Sequence, residues 1–268
     1  MTIRIEVALV PAEAGVWRDA VAVVVDALRA STTIVTGLDR GARAIVPVAG
    51  VDEARRLAVE LGAVLAGEID ALRPPGFDLG NSPDEFAAAD LAGRVVVLRT
   101  SNGTSVLARL RRARRVLVGC LPNATAVAAA ALELAGSDGS IGIVCAGRKG
   151  RFVLDDALVS GILVGIVERL ARASGETVVL GDGAHAARRL APDGTDLEAG
   201  VRASASGRRL IELGLMGDLD RCLRRDVSQL VPVLVTDASP RLEPLALDRP
   251  VDRVRAAGAE PGLVPADV

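Results

Sequence analysis

The chain has 268 residues, of which 50% are hydrophobic and 1% aromatic, and its formal net charge at pH 7 is -2. This near-neutral charge gives no global field to attract nucleic acid or an anionic membrane, and the few aromatic side chains leave little for stacking of single-stranded bases. With one histidine and three widely separated cysteines, histidine-based triads, zinc sites and a disulfide framework are disfavoured, so the chemistry must rely on oxygen ligands, arginine or a single thiol.

The predicted strands are short runs of β-branched and other apolar residues, and a run that is apolar throughout is typical of a buried strand. They lie at 21–25, 44–48, 63–66, 95–98, 116–118, 141–144 and 231–235. Helical patterns lie between them at 52–61, from Ser82 onwards, at 123–136 and at 155–172. Strands that alternate with helices predict a mainly parallel sheet with helices on both faces.

We predict a layered α/β/α fold in which residues 1–268 form one compact unit, because no linker rich in Gly, Ser or Pro divides the chain. Two fused α/β lobes, at about 1–135 and 136–240 with a tail at 241–268, are the alternative division. The longest apolar runs, such as 158–167, are shorter than the roughly 20 residues that cross a bilayer. The N-terminal sequence also has no secretion signal pattern. We therefore expect a cytoplasmic protein that has no membrane partner.

Polar groups follow several predicted strands at the point where each strand ends. Asp26 ends the first strand, Arg29, Ser31 and Thr32 stand where the next helix begins, and Glu68 follows the third strand. In open α/β sheets, ligands bind beyond the carboxyl ends of the strands, so parallel strands would place these groups at one rim. Each residue alone is explained about equally well as a helix cap or turn residue. Their repetition at successive strands favours a functional site.

Two further turns carry polar groups in a pattern that suits an anion or a metal. The turn "TSNGT" at 100–104 can present backbone N–H groups to an oxyanion at a helix N-terminus. The segment "GFDLGNSP" contains Asp78 and Asn81, although Asp78 could simply fix a turn. The chain lacks the spacing of a P-loop and of a dinucleotide-binding fingerprint, so nucleotide binding has little support.

The segment "CAGRKGR" at 145–151 follows the predicted strand at 141–144. Cys145, five intervening residues and Arg151 match the spacing of phosphatases that use a cysteine nucleophile and an arginine clamp. A small cysteine packed at a strand end is the more frequent case, and we favour it. Asp155 and Asp156 begin the next helix, where acidic residues are favourable in the first turn.

Four segments, "DALRASTTIVTGL", "GFDLGNSP", "TSNGT" and "CAGRKGRFVLDDALVSG", occur in this order and together resemble the 2-phosphosulfolactate phosphatase family of coenzyme M biosynthesis. The resemblance covers about residues 21–161 and, more weakly, 221–233. It implies a magnesium-dependent acid phosphatase that converts 2-phosphosulfolactate to 3-sulfolactate and phosphate. The partner that it implies is a small anionic phosphoester, and we expect the protein to form a homodimer.

The polar residues suit this implied activity. Mg²⁺ prefers hard oxygen ligands, so we predict that Asp26, Glu68 and Asp78 bind it. Arginine and the 100–104 backbone would hold phosphate oxygens through charge-assisted hydrogen bonds. The predicted catalytic residues are Asp26, Glu68 and, for the thiol alternative, Cys145. The predicted substrate-binding residues are Arg29, Ser31, Thr32, Asn81, Thr100, Ser101, Asn102, Gly103, Thr104, Gly147 and Arg151.

Three functions remain open at this point. The first is a metal-assisted phosphatase, the second is hydrolysis through a phosphoenzyme on Cys145, and the third is a non-catalytic binder of anionic metabolites. Phosphosulfolactate carries a phosphate, a carboxylate and a sulfonate, so its site needs cationic groups beyond Arg29. Arg148, Lys149 and Arg151 are the candidates for this role, and we predict that Arg151 contributes to substrate selection.

Overall fold

A computed structural model describes residues 1–14, 17, 19–100, 106, 110, 113–191, 196–236 and 240–245. Within these residues the chain forms one mixed, mainly parallel sheet with helices packed on it, which confirms the predicted α/β class. The strands are β1 (Thr2–Ala8), β2 (Val21–Val25), β3 (Ala44–Val48), β4 (Val64–Gly67), β5 (Val95–Arg99), β6 (Arg115–Gly119), β7 (Ser140–Cys145), β8 (Thr177–Leu180), β9 (Pro232–Val235) and β10 (Arg241–Pro244).

The described helices lie between these strands and after β8. They are α1 (Ala30–Asp39), α2 (Val51–Leu61), α3 (Pro83–Ala88), α4 (Ala124–Ala135), α5 (Leu154–Ala173), α6 (Asp182–Leu190), α7 (Leu197–Ala203), α8 (Ala205–Glu212) and α9 (Met216–Leu223). Short 3₁₀ turns occupy Pro11–Glu13 and Leu121–Asn123. In the part of the chain that the structure describes, no helix combines the length and the apolar character that crossing a membrane requires.

The sheet consists of two parallel blocks joined by an antiparallel hairpin. Its order is β4-β5-β3-β10-β9-β6-β2-β7-β1-β8. The first block (β3, β4, β5) and the second block (β1, β2, β6, β7, β8) are each parallel inside. Between them, β10 runs antiparallel to β3, β9 antiparallel to β10, and β6 antiparallel to β9. Three reversals in succession mean that the two blocks run in opposite directions.

One hydrophobic core joins the two blocks around α1. Ile34 and Leu38 of α1 share a buried cluster with Val24 of the second block and with Ile45 and Leu98 of the first. The same helix therefore packs against strands of both blocks.

The outer faces of the two blocks carry separate cores. On the second block, Ile5 and Ile143 pack with Val127 of α4 and Leu163 of α5. On the first block, the small residues of α2 pack in a cluster with buried valines of β3 and β5. The helices therefore cover the sheet on both sides, as the alternation of elements predicts.

Most predicted element boundaries agree with the structure to within one or two residues. Three strands were not predicted, namely β1, β8 and β10. The predicted tail at 241–268 is corrected at its start, because Arg241–Pro244 forms β10 in the middle of the sheet.

Candidate active site

A cavity lies where strand ends from the two blocks meet. Asp26 and Gly147 line it just beyond the carboxyl ends of β2 and β7, whereas Glu68 and Thr100 line it just beyond those of β4 and β5. These groups meet, as predicted, but the predicted reason is wrong, because the strands that carry them are not all parallel. The blocks run in opposite directions, and strand ends of both nevertheless line this one cavity.

Nine ionisable side chains of the described residues line this cavity. Five are acidic (Asp26, Glu68, Asp70, Asp155 and Asp156) and four are basic (Arg29, Arg148, Lys149 and Arg209). The two sets nearly balance, with an excess of one acidic group. This mixed lining suits an anionic ligand bound together with a cation, because the basic side chains attract the anion and the acidic side chains attract the cation.

Asp26 is positioned by the first turn of α1. Its carboxylate accepts a hydrogen bond from the Ala30 N–H at 3.2 Å, and its own N–H donates to the Ser31 hydroxyl at 2.9 Å. Burial is the largest cause that raises the pKa of Asp26, and the nearby Asp155 and Glu68 carboxylates raise it further. The Ser31 hydroxyl therefore supports the start of α1, and Ser31 does not line the cavity as its predicted role requires.

Arg29 is fixed by partners from two separate segments. One guanidinium nitrogen forms a buried ion pair with Asp218 of α9, and the other donates to the Ala71 carbonyl at 2.7 Å. Asp218 also accepts a hydrogen bond from the Ser82 hydroxyl at 2.5 Å. Arg29 is thus held rigidly at the cavity wall, with part of its hydrogen-bonding capacity already used.

Glu68 and Asn81 face the cavity from the first block and from the loop before α3. Glu68 accepts a hydrogen bond from the Ala71 N–H at 2.7 Å. The carbonyl oxygen of the Asn81 side chain is buried and has no hydrogen-bond partner among the described residues. A buried acceptor without a donor is costly, so a donor or a cation supplied by a ligand would satisfy it.

Asp156 links the ends of β2 and β7. Its two carboxylate oxygens accept hydrogen bonds from the N–H groups of Ala27 and Gly147, each at 2.8 Å. Burial, and then the charges of Asp155 and Asp26, raise its pKa well above the ordinary value. Because the Gly147 N–H is used by Asp156, Gly147 lines the cavity without offering this donor to a substrate.

Asp155 is almost completely buried beside Asp156. Burial is the main cause that raises its pKa, whereas the hydroxyls of Ser204 and Ser206 and the charge of Arg148 lower it. One of its oxygens has no hydrogen-bond partner among the described residues. Like Asn81, it therefore presents an unsatisfied oxygen in a cavity wall.

Three further predicted site residues do not line this cavity. Thr32 lines a different cavity. Asp78 is exposed, and its carboxylate accepts a hydrogen bond from the Leu65 N–H at 2.8 Å, so it fixes the turn beside β4. Arg151 is exposed and pairs with Arg148 through backbone hydrogen bonds, whereas it is the Arg148 side chain that lines the cavity.

Cys145 is packed in the core rather than on the cavity. Its side chain is 0% exposed, and its sulfur lies 3.3 Å from the Ser160 hydroxyl oxygen. Burial, followed by the charge of Asp156, raises the pKa of the thiol. A nucleophilic cysteine needs a lowered pKa and access to substrate, so the structure corrects the catalytic role predicted for Cys145. Of the turn at 100–104, Thr100 lines the cavity, and Ser101, Asn102, Gly103 and Thr104 lie outside the described residues.

Sequence reasoning missed several residues of the cavity. It interpreted Asp155 and Asp156 only as favourable first-turn acids, and it did not single out Arg209, which lines the cavity, or Asp218, which holds Arg29 from outside the lining. The signal for the first two was their position only a few residues after the "CAGRKGR" segment, which joins the end of β7 to the N-terminus of α5. For Asp218 and Arg209 no local motif marks the role.

Comparisons with known proteins agree on one family. The family model described as 2-phosphosulpholactate phosphatase matches residues 8–237. A protein of Thermotoga maritima is 40% identical over 215 residues, which cover 80% of this chain and 88% of that protein. A protein of Thermus thermophilus is 40% identical over 235 residues, 86% and 94% of the two chains. One of Deinococcus radiodurans is 42% identical over 217 residues, 80% and 88%. Each relative is named "Probable 2-phosphosulfolactate phosphatase".

Proposed function

The chain belongs to the 2-phosphosulfolactate phosphatase family, and we propose that it is a phosphoric monoester hydrolase that converts 2-phosphosulfolactate to 3-sulfolactate and phosphate. The observation that carries the proposal is the cavity between the two sheet blocks, where Arg29 and three buried aspartates stand together. Phosphomonoester hydrolysis needs positive charge at the phosphoryl oxygens and a group that orients water, and this cavity contains both kinds of residue.

We propose that Mg²⁺ is the cofactor, held by Asp26 and Glu68. The excess of acidic groups, the raised pKa values of the aspartates and the unsatisfied oxygens of Asn81 and Asp155 all support a cation in this cavity. All of these donors are hard oxygen atoms, which Mg²⁺ prefers. When bound, the ion would supply positive charge to the phosphoryl oxygens.

We propose that only two protein carboxylates would bind this ion. Within the described ranges, no three acidic, histidine or cysteine side chains are grouped closely enough to hold a metal ion by themselves. Mg²⁺ commonly retains several waters and takes one or two carboxylates together with substrate phosphate. Two carboxylates from opposite blocks, Asp26 and Glu68, fit that mode of binding.

Side chains of the cavity would bind the phosphate and orient the attacking water. Arg29, held by Asp218, would bind a phosphate oxygen from a fixed position, and Thr100 would face the same ester from the first block. A third buried carboxylate of the cavity, that of Asp155, would orient the attacking water and accept its proton.

We propose that the protein acts in the cytoplasm. All three cysteines are free and buried, which suits a reducing environment such as the cytoplasm.

Phosphate release from a panel of substrates tests the proposed reaction. The panel consists of 2-phosphosulfolactate, 2-phospholactate and isopropyl phosphate, each assayed with Mg²⁺ and with EDTA. We expect the highest kcat/KM for 2-phosphosulfolactate and no turnover in EDTA. Tight binding of 2-phosphosulfolactate without phosphate release would instead identify the protein as a binder of anionic metabolites.

A further inference from the structure

The four basic groups of the cavity differ in how far they are already engaged. Arg29 is bound by Asp218 and by the Ala71 carbonyl. Lys149 forms an ion pair with Asp70, whose carboxylate oxygen lies 3.3 Å from the lysine nitrogen. Arg29 is held by buried protein partners, so it can offer only part of its charge to a substrate. The Lys149–Asp70 pair is exposed and therefore weak, but the lysine ammonium is a point charge without the paired donors of a guanidinium.

Arg148 is the least engaged of the four. Its side chain is half-buried and lines the cavity, and its guanidinium makes no hydrogen bond or ion pair with another described residue. Its backbone is nevertheless fixed, because Arg148 and Arg151 exchange two N–H to carbonyl hydrogen bonds of 3.0 Å each. The turn between them has φ of 51° at Lys149 and 75° at Gly150, as in a type I′ turn. A fixed backbone thus presents a guanidinium whose donors are uncommitted.

Arg209 of α8 lines the same cavity. The Ser204 hydroxyl caps α8 by accepting from the Gly207 N–H at 2.9 Å, and Leu210 anchors the helix in a buried cluster. Within the described chain, the Arg209 guanidinium forms one ion pair, with Glu212 at 3.4 Å, and the two side chains are partly and largely exposed. Exposed ion pairs of this kind hold their partners weakly, so a substrate anion could replace Glu212.

We propose that Arg148 and Arg209 form a second anion-binding subsite of the cavity, which binds the non-reacting carboxylate or sulfonate of an anionic phosphoester. The inference rests on the proposed function, in which Arg29 and the cofactor serve the phosphate. Two guanidinium groups are needed because Asp155 offsets part of the charge of Arg148. A guanidinium also matches the paired oxygens of a carboxylate or sulfonate.

Arg148→Gln and Arg209→Gln test the subsite. Each variant should lower kcat/KM for 2-phosphosulfolactate roughly ten- to a hundredfold, the usual loss for a charged hydrogen bond, and should change kcat/KM for isopropyl phosphate less than about threefold. Arg208→Gln is the matched control, because Arg208 is exposed on the same helix and does not line the cavity. Equal losses on both substrates, or no loss on either, would overturn the proposal.

Arg151, in the turn at 145–151, is the competing candidate for the subsite. Sequence reasoning favoured Arg151 for substrate selection, so a selective loss in Arg151→Gln together with an unaffected Arg148→Gln would also overturn the proposal. Arg148→Lys keeps the charge but not the paired donors, and we expect it to recover only part of the loss.

A binding measurement separates failure of the subsite from failure of the proposed reaction. Calorimetry with 3-sulfolactate requires no turnover, and we expect its Kd to rise roughly ten- to a hundredfold in Arg148→Gln and Arg209→Gln. If the wild type hydrolyses no phosphoester yet shows this difference in Kd, the proposed reaction fails and the subsite stands. If the wild type hydrolyses 2-phosphosulfolactate and the variants bind 3-sulfolactate as tightly as it does, the reaction stands and the subsite is excluded.

Discussion

Arg29 and Asp218 stand 189 positions apart in the sequence and form an ion pair in which their side chains are 4% and 2% exposed. The pair joins the start of α1 to α9, and the hydrogen bond from Ser82 adds the start of α3 to the same group. A cationic side chain at the wall of the candidate active site is therefore held in place by a helix that contributes nothing else to the described cavity lining.

Asp218→Asn should destabilise the protein and lower its activity together. Removing one partner of a buried ion pair leaves the other charge uncompensated, and we expect the free energy of unfolding to fall by about 3–5 kcal/mol. Urea denaturation measures the loss, and kcat/KM should fall because Arg29 is no longer held. Asp220→Asn, at an exposed position of the same helix, is the control. An Asp218→Asn variant as stable as the wild type would show that the pair does not hold Arg29.

Asp26→Asn should preserve the fold and reduce kcat by orders of magnitude, because it removes an anionic metal ligand at the reacting centre. Asparagine keeps the oxygen that accepts from the Ala30 N–H, so α1 should still begin at the same residue. Asp39→Asn, at the exposed end of α1, is the matched control. Activity near that of the wild type at saturating Mg²⁺ would exclude this role for Asp26.

Cys145→Ser should retain most of the phosphatase activity. The thiol is buried against Ser160 with a raised pKa, so it is neither ionised nor accessible to a substrate at neutral pH. Steady-state assays with Mg²⁺ measure the activity, and circular dichroism checks the fold. Complete loss in a folded variant, together with a phosphocysteine trapped in the wild type, would reinstate the thiol mechanism.

The aspartate cluster should make metal-free protein less stable as the pH rises. Burial raises the pKa of Asp26 from 3.8 to about 7 in the folded state, so the folded protein binds more protons than the unfolded one between about pH 4 and 7. The contribution of Asp26 to the free energy of unfolding therefore falls as the pH rises from about 4 to about 7, and it stays low at higher pH. Asp26→Asn should raise the metal-free Tm at pH 8, by a few degrees, and leave it unchanged near pH 4.

Added Mg²⁺ provides the complementary measurement. Because protons and a metal ion compete for the same carboxylates, Mg²⁺ should raise the Tm of the wild type more at pH 8 than at pH 5. Differential scanning calorimetry at both pH values gives the comparison. A Tm shift that is equal at the two pH values, or that persists in Asp26→Asn, would place the ion elsewhere.

The sequence predicted the buried strands well and the exposed ones poorly. β2 and β3 are apolar throughout, and their predicted bounds are those of the structure. β1 alternates buried residues with exposed Arg4 and Glu6, and β8 lies at the edge of the sheet, so neither presents a continuous apolar run. The opposite directions of the two blocks follow from the β9–β10 hairpin, which pairs with each block through a single residue pair.

The candidate site was predictable where its residues follow a strand. Asp26, Glu68 and Thr100 do so and line the cavity. Asp155 and Asp156 stand at a helix start, where an acid is favourable whether or not it is buried, so the sequence alone did not distinguish the two cases. Asp218 and Arg209 reach the site only through the packing of α8 and α9 against α5, and no local pattern reports such a contact.

Metal-assisted hydrolysis in this cavity is tested by the rate of phosphate release from 2-phosphosulfolactate by wild-type protein, first in EDTA and then after Mg²⁺ is restored in excess. We predict no release in EDTA, full recovery with Mg²⁺, and no recovery for Asp26→Asn under the same conditions. Phosphate release that continues unchanged in EDTA would contradict a metal-assisted reaction in this cavity. Absence of release by the wild type at any Mg²⁺ concentration would contradict the phosphatase function itself.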